Sequence, residues 1–403
     1  MFFLFVAAVA MVHIPSNAFP RDFGKSRRTR AAPNSLIRRG QNYRKQLSHT
    51  STTVLERVQQ PIKHTATIVP RYFTAAVSRS GMPPPPLPAE EIGTLTALYL
   101  SLNGPNWHIK DGWMSTSNPC GGDIVSDPWY GVECTAFESD SAVSLSSHVT
   151  GLVLPQNNLI GWLPPLRLLK HLRSLDLFSL HIPDSTDHGN FVSGTLDALC
   201  GLGNLSTARL SSNNFTGSIP DCIQSLANAT VLKFDHNAIQ GTTPESLCRL
   251  HNLEELILRG NQLQGSVPVC IGEALTALRV LDYSNVKTDS GFGDQSLSGT
   301  LPASLCSLEN LEVLEFQATQ GLSGTIPDCL GAEQPQLQVL ALLMNQINGP
   351  IPEKLCQASA LEQVLLYENT LTGTVPSCLG NLKQLVALDL YTNQFNGSIP
   401  EEL

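Results

Sequence analysis

Ten cysteines are the residues whose spacing promises covalent chemistry, and that chemistry is oxidation to disulfides. Cys120 and Cys134 flank DIVSDPWYGVE. The other eight alternate in class: Cys222, Cys270, Cys329 and Cys378 come two residues after a proline, while Cys248, Cys306 and Cys356 come four after one. Cys200 matches the second class in a stretch that lacks the proline. Taken in order, these eight form pairs 22, 22, 23 and 22 residues apart. If each interval is one turn of a ladder of strands about 4.8 Å apart, the Cα atoms fall within the roughly 4.4 to 6.8 Å that a disulfide spans. The competing reading is burial as small hydrophobes. No other reactive pattern stands out: H-E-x-x-H, G-x-S-x-G, C-x-x-C and phosphate-loop motifs are missing. His108, His171 and His251 read as surface or turn residues, and Asp184, Asp187 and Asn190 lack the spacing of an EF-hand. The expectation is a binding protein with no catalytic residue, metal or cofactor.

Positioning those cysteines requires a repeating element, and one is visible in LEELILRGNQLQGSVPVCIGEALTA from Leu253. Leu253, Leu256 and Leu258 define one face of a short strand, and Asn261 follows at the third position beyond it. Equivalent strands start at Val149, Leu172, Leu205, Ala229, Leu253, Leu278, Leu311, Leu337, Leu361 and Leu385, mostly 23 to 26 residues apart. Two steps are 33 long, with the extra residues in FSLHIPDSTDHGNF and YSNVKTDSGFGDQS, where the ladder asparagine is displaced. A single coil buries about seven apolar side chains, roughly 10 to 20 kcal/mol, against about 24 to 48 kcal/mol of backbone ordering. Only stacked coils that share faces can fold. Asn at 157, 213, 237, 261, 345, 369 and 393 has an amide able to pair backbone groups left over at the turn. The glycine four residues after each Asn suits a bend with close backbone approach, and the proline three further on ends the strand-like part.

The run LVALDLYTNQFNGSIP from Leu385 resembles the plant-type leucine-rich repeats of receptor-kinase ectodomains and polygalacturonase-inhibiting proteins. The resemblance covers roughly residues 90 to 403 and implies an α/β solenoid: a right-handed superhelix with a parallel sheet on its concave face and an α-helical N-terminal cap. Trp129, Gly131, Val132 and Cys134 match the W-x-G-V-x-C end of that cap, and Trp107 and Trp113 are expected to pack in it.

Residues 1–18 read as a signal peptide, 19–82 as a basic disordered leader, 83–89 as a proline-rich spacer, 90–148 as the cap, and 149–403 as about ten repeats, the last truncated. The leader holds thirteen of the 25 Lys and Arg, leaving twelve bases against 32 acids beyond residue 82, a formal charge of −20. A solenoid that acidic excludes nucleic acid and anionic membrane as natural partners. The route expected is secretion or display at the cell surface. The Arg- and Ser-rich leader, with Ala18, Phe19 and Pro20 at the cut, also resembles two-part plastid leaders. GSIPEEL stops in mid-coil, which leaves room for a membrane tether beyond residue 403 or a partner over that end.

In L-x-x-L-x-L the x side chains point away from the core. Two columns of them single out a basic island of Arg209, Lys233 and Arg259 with Asp235 beside it, and an apolar and aromatic patch of Leu343, Leu365, Tyr367 and Tyr391. These eight residues are the candidate ligand contacts. Sequons at Asn204, Asn214, Asn228 and Asn396 are candidate glycosylation sites, with Asn214 expected to point outward. The function expected is non-catalytic recognition of a protein or polysaccharide; the alternatives are a structural or adhesive wall-associated scaffold and a plastid repeat protein.

Overall fold

The alternation of leucine with polar residues becomes a parallel ladder in the computed structural model, which describes residues 85–115, 118–121, 128–138, 145–180, 189–285, 287–288, 291–292 and 296–403. The signal segment, the basic leader, Asp184 and Asp187 lie outside the described residues. The main sheet has eleven strands: β1 Val132–Glu138, β2 Leu145–Val153, β3 Ser174–Asp176, β4 Thr207–Arg209, β5 Val231–Lys233, β6 Glu255–Ile257, β7 Val280–Asp282, β8 Val313–Glu315, β9 Val339–Ala341, β10 Gln363–Leu365 and β11 Ala387–Asp389. From β2 onward every pairing is parallel and in register, as in Leu256 opposite Leu232 and Leu281. Only β1 runs antiparallel, against β2. Leu253, Leu256, Leu258 and their equivalents are fully buried up to the coil that starts at Leu361, and Leu385, Leu388 and Leu390 of the last coil are half-buried. Phe234, Tyr283 and Phe316 take the third leucine's place, with Tyr283 and Phe316 stacked at 5.3 Å.

The asparagine column does the work its spacing implies. Asn261 Nδ2 donates to Leu258 O in its own coil (2.9 Å) and Phe234 O in the coil before (3.0 Å), while its Oδ1 accepts Ile239 N–H (3.1 Å). Asn213, Asn237, Asn369 and Asn393 repeat the scheme. In the first long coil the ladder is restored rather than lost: Asn190, beyond the insertion, donates to Leu154 O and Leu177 O and accepts Asn157 N–H. Its displaced position hid that role in the sequence. The residue before the ladder position turns left-handed in coil after coil, with φ of 57° at Ser212, 53° at His236, 58° at Met344 and 54° at Thr392. That conformation costs a non-glycine residue about 1 to 2 kcal/mol.

A second set of strands follows the turn in every coil but the last, which the reading of glycine as a mere bend had missed. Ile160–Trp162, Phe191–Gly194 and Asn214–Phe215 form one small sheet; Gln240–Thr242, Gln262–Gly265, Ser296–Thr300, Gln320–Thr325, Gln346–Gly349 and Thr370–Leu371 form another. The glycines are needed here twice over. Gly265 sits at φ +77°, and a Cβ on it would lie 3.0 Å from the γ-methyl of Thr242 in the preceding coil. Prolines 220, 244, 302, 352 and 376 then directly precede short 3-10 helices. On that flank lie the bridges Cys200–Cys222, Cys248–Cys270, Cys306–Cys329 and Cys356–Cys378, with Cα separations of 5.5 to 5.9 Å.

At the other end, α1, Ala89–Ser101, docks on the first coil. Its buried Glu91 accepts Val149 N–H at 2.8 Å and meets His148 Nδ1 at 2.5 Å, a task beyond simple dipole complementarity. Trp107, Trp113 and Trp129 pack with Tyr99 at ring distances of 4.8 to 5.7 Å, and Cys120 is bridged to Cys134. Asn157 holds Ile109 by both its N–H and its carbonyl (2.6 and 2.8 Å), so the first coil grips this segment with the ladder's own chemistry.

Truncating one ladder amide leaves several buried backbone groups unpaired, at about 1 to 3 kcal/mol each. Asn261→Ala should therefore lower unfolding free energy by about 3 kcal/mol or more in urea titration, while Asn252→Ala, which removes an exposed side chain bonded only to Ala227 O, should shift it far less.

Candidate ligand-binding face

The outward columns of the main sheet divide into three zones. The basic island is neutralised by its own neighbours. Arg209 Nη1 lies 3.7 Å from Asp176, Lys233 Nζ 2.6 Å from Glu255, and Arg259 Nη1 3.9 Å from Glu315. Asp235 accepts Ser211 Oγ–H at 2.5 Å. Of the three cations Arg209 is the most open, its side chain 45% exposed.

The middle of the face is closed. Asp282, Ser284, Glu315 and Gln317, all outward by register, are buried. Arg259 reaches over the intervening coil to Glu315, so its side chain spans Asp282. Burial raises the pKa of both acids, and it pushes Glu315 up to about 8 with help from the Asp282 carboxylate beside it and against the guanidinium. The Gln317 amide donates to Glu315 at 3.1 Å, and Ser284 N–H donates to Asp282 at 2.8 Å. Arg259 Nε and Nη1 are buried without a hydrogen-bond partner. One guanidinium thus faces two carboxyls.

The carboxyl-terminal zone is aromatic. Tyr367 and Tyr391 stack at 4.6 Å with planes 8° apart, and Leu365 is half-buried beside them. Tyr391 is 43% exposed. Leu343 does not join this patch: it is buried, between the longer Gln317 and Tyr367 of the adjacent coils. Desolvation, then the Asp389 and Glu368 carboxylates, push the Tyr367 phenol up to about 12, so it stays a neutral donor. Burial also raises Asp389. The stack and its acids make a platform for a cationic or apolar side chain.

The remaining candidates scatter. His108 and His251 are exposed, and His171 lies against His148 with ring centres 4.1 Å apart and planes tilted by 35°. Asp197 lies close to Cys200 and Cys222, but both sulfurs are in a disulfide, which removes them as metal ligands. Asn204, Asn228 and Asn396 are exposed, whereas Asn214 is half-buried, its Nδ2 donating to Ser193 Oγ at 3.0 Å. Sequence reasoning missed Glu315 and Asp282 as a buried pair, because alternation reports direction and not coverage.

Residues 203–263 match the leucine rich repeat family model. A 143-residue stretch is 27% identical to Protein STRUBBELIG-RECEPTOR FAMILY 1 of Arabidopsis thaliana, covering 36% of this chain and 15% of that protein. Another of 167 residues is 30% identical to Receptor-like protein 35 of the same plant, covering 41% of this chain and 14% of that one. The chain therefore matches only about a seventh of the length of these relatives. Among solved structures, the Arabidopsis receptor kinase HAESA in complex with the peptide hormone IDA and the co-receptor SERK1 superposes with a TM-score of 0.62 at 29% identity, over 78% of this chain and 48% of that one.

A carboxyl whose folded pKa is raised keeps a proton that the unfolded chain has released. Stability attributable to Glu315 should accordingly fall as pH rises from about 4.5 to about 8. Glu315→Gln should melt above the parent at pH 8 and near it at pH 5 in paired thermal scans.

Proposed function

We propose that this plant-type leucine-rich-repeat protein is a non-catalytic recognition module, secreted or displayed at the cell surface, whose main sheet face binds an extended protein segment. The observation that carries the reading is the stacked Tyr367–Tyr391 pair, presented outward on β10 and β11 coils and flanked by Asp389 and Glu368. Large planar side chains give contact area at small entropic cost, and tyrosines of this kind dominate interfaces. The acids beside them favour a Lys or Arg in the ligand, while Arg209, six coils from Tyr367 and seven from Tyr391, favours an acidic residue at the other end. Leu365 supplies the apolar floor, and the neutralised Lys233, Asp235 and Arg259 serve register more than affinity.

The peptide complex of the HAESA ectodomain supports a protein ligand. Five disulfides support an oxidising compartment. Exposure of Asn204, Asn228 and Asn396 is compatible with glycosylation on that route.

Selection of a random displayed-peptide library on the immobilised full chain should enrich sequences carrying a basic residue. Tyr391→Ala and Tyr367→Ala should each weaken the selected peptides about tenfold or more by calorimetry. Failure to select, or affinity unchanged in both variants, would refute the reading.

A further inference from the structure

The flank built from the second strands differs in chemistry from the main sheet face. A glycine lies in each of its strands or two residues past it, and the five-residue stretches that end one residue beyond those glycines, from 214–218 to 394–398, contain no Asp, Glu, Lys, Arg or His. The residues beside the glycines are Ser, Thr, Gln and Asn, coil after coil from Thr216 to Ser398, exposed apart from the half-buried Ser323 and interrupted by Pro350. This is the neutral side of a region with a formal charge of −20.

The side chains are also held in place. A Cβ on Gly265 would meet the γ-methyl of Thr242 at 3.0 Å, one on Gly349 that of Thr325 at 2.9 Å, and one on Gly397 that of Thr374 at 3.1 Å. Each threonine methyl thus rests in the slot that the next coil's glycine leaves open, which restrains the hydroxyl beside it. Backbone bonds carry the surface without a break, as in Ala238 N–H to Phe215 O and Gln394 N–H to Leu371 O, both 2.8 Å.

At its amino-terminal end the flank becomes aromatic. Trp162 is 65% exposed, Phe191 55% and Ile160 42%. Ile160 and Phe191 face each other across the ladder, with Trp162 two residues along on the same side. Among the described residues these rings present an apolar face to water.

We infer that this flank is a binding surface for a neutral polysaccharide, a β-glucan chain lying along the strands' stacking direction and anchored on Trp162 and Phe191. A pyranose ring offers an apolar C–H face for the aromatic platform and equatorial hydroxyls for the Ser, Thr, Asn and Gln columns. A polyuronate is disfavoured because nothing on the flank neutralises it and the rest of the solenoid repels it. Pre-set hydroxyls reduce the ordering cost of each contact, and equivalent sites repeated along one polymer add avidity. The surface is separate from the main sheet face, so this inference stands or falls independently of the protein-ligand reading.

Affinity electrophoresis of the full chain in gels containing hydroxyethylcellulose, with polygalacturonate gels alongside, tests it. Retardation by the neutral polymer, insensitive to salt, is expected. Trp162→Ala with Phe191→Ala should lower the apparent association constant about tenfold or more. Thr300→Glu with Thr325→Glu should do the same in protein that circular dichroism shows to be folded, and Tyr367→Ala with Tyr391→Ala should migrate like the parent. No retardation, retardation by polygalacturonate alone, loss with salt, or indifference to both flank variants would overturn the proposal. So would shaping of ice crystals without glucan binding, which would assign the hydroxyl columns to ordered water instead.

Discussion

A side-chain amide that closes three backbone hydrogen bonds at once is the constraint from which this solenoid follows. Just past each main-sheet strand the backbone turns, and carbonyls and an N–H that would otherwise face the dry core are taken up by one asparagine, as Asn261 does for Leu258, Phe234 and Ile239. Because one of the carbonyls and the N–H belong to the preceding coil, the same residue completes its own turn and ties it to its neighbour. No coil could satisfy those groups alone, so the repeat is cooperative for polar reasons as well as apolar ones. The amino-terminal segment obeys the same logic, with Asn157 gripping Ile109 where an earlier coil would have been.

The two exposed sheets divide the surface chemistry between them. On the main face, charge is present and already answered: Arg209, Lys233 and Arg259 each meet an acid, and the centre buries two carboxyls under one guanidinium. What is left open there is aromatic, at Tyr367 and Tyr391. On the second flank the strand stretches carry no charged residue, and threonine side chains are held by packing against glycine. A partner choosing between them would be sorted by whether it brings side chains with ionic and apolar character or a uniform polyol surface.

Much of this was legible in the residues. Leucine spacing located all the parallel strands from β2 onward, and the cysteine intervals located the bridges, because both signals depend on a period that the solenoid imposes on backbone and side chain alike. What stayed hidden depended on contacts between coils. Asn190 looked like part of a polar loop, since the insertion moved it out of register. The second strands read as bends, because glycine signals a left-handed turn and says nothing of the ladder pairing on either side of it. Leu343 is covered by longer residues in the adjacent coils, Glu315 lies under Arg259 reaching from two coils away, and Glu91 became a buried anchor for Val149. The two-period alternation gives a direction for each side chain; the length of the residue in the next coil decides whether water reaches it.

The disulfides couple coils two by two. Bridges join the coils that start at Leu172 and Leu205, Ala229 and Leu253, Leu278 and Leu311, and Leu337 and Leu361, and the interfaces between those pairs carry no covalent tie. The molecule is therefore a string of four covalent blocks, and partial opening has natural joints: local unfolding events would run along the unbridged interfaces and stop at the blocks. Both 33-residue coils stand first in a block, immediately beyond such a joint. A long chain excursion placed there can change without straining a bridge behind it, so the cysteine rhythm marks where the architecture tolerates variation as well as where it is locked.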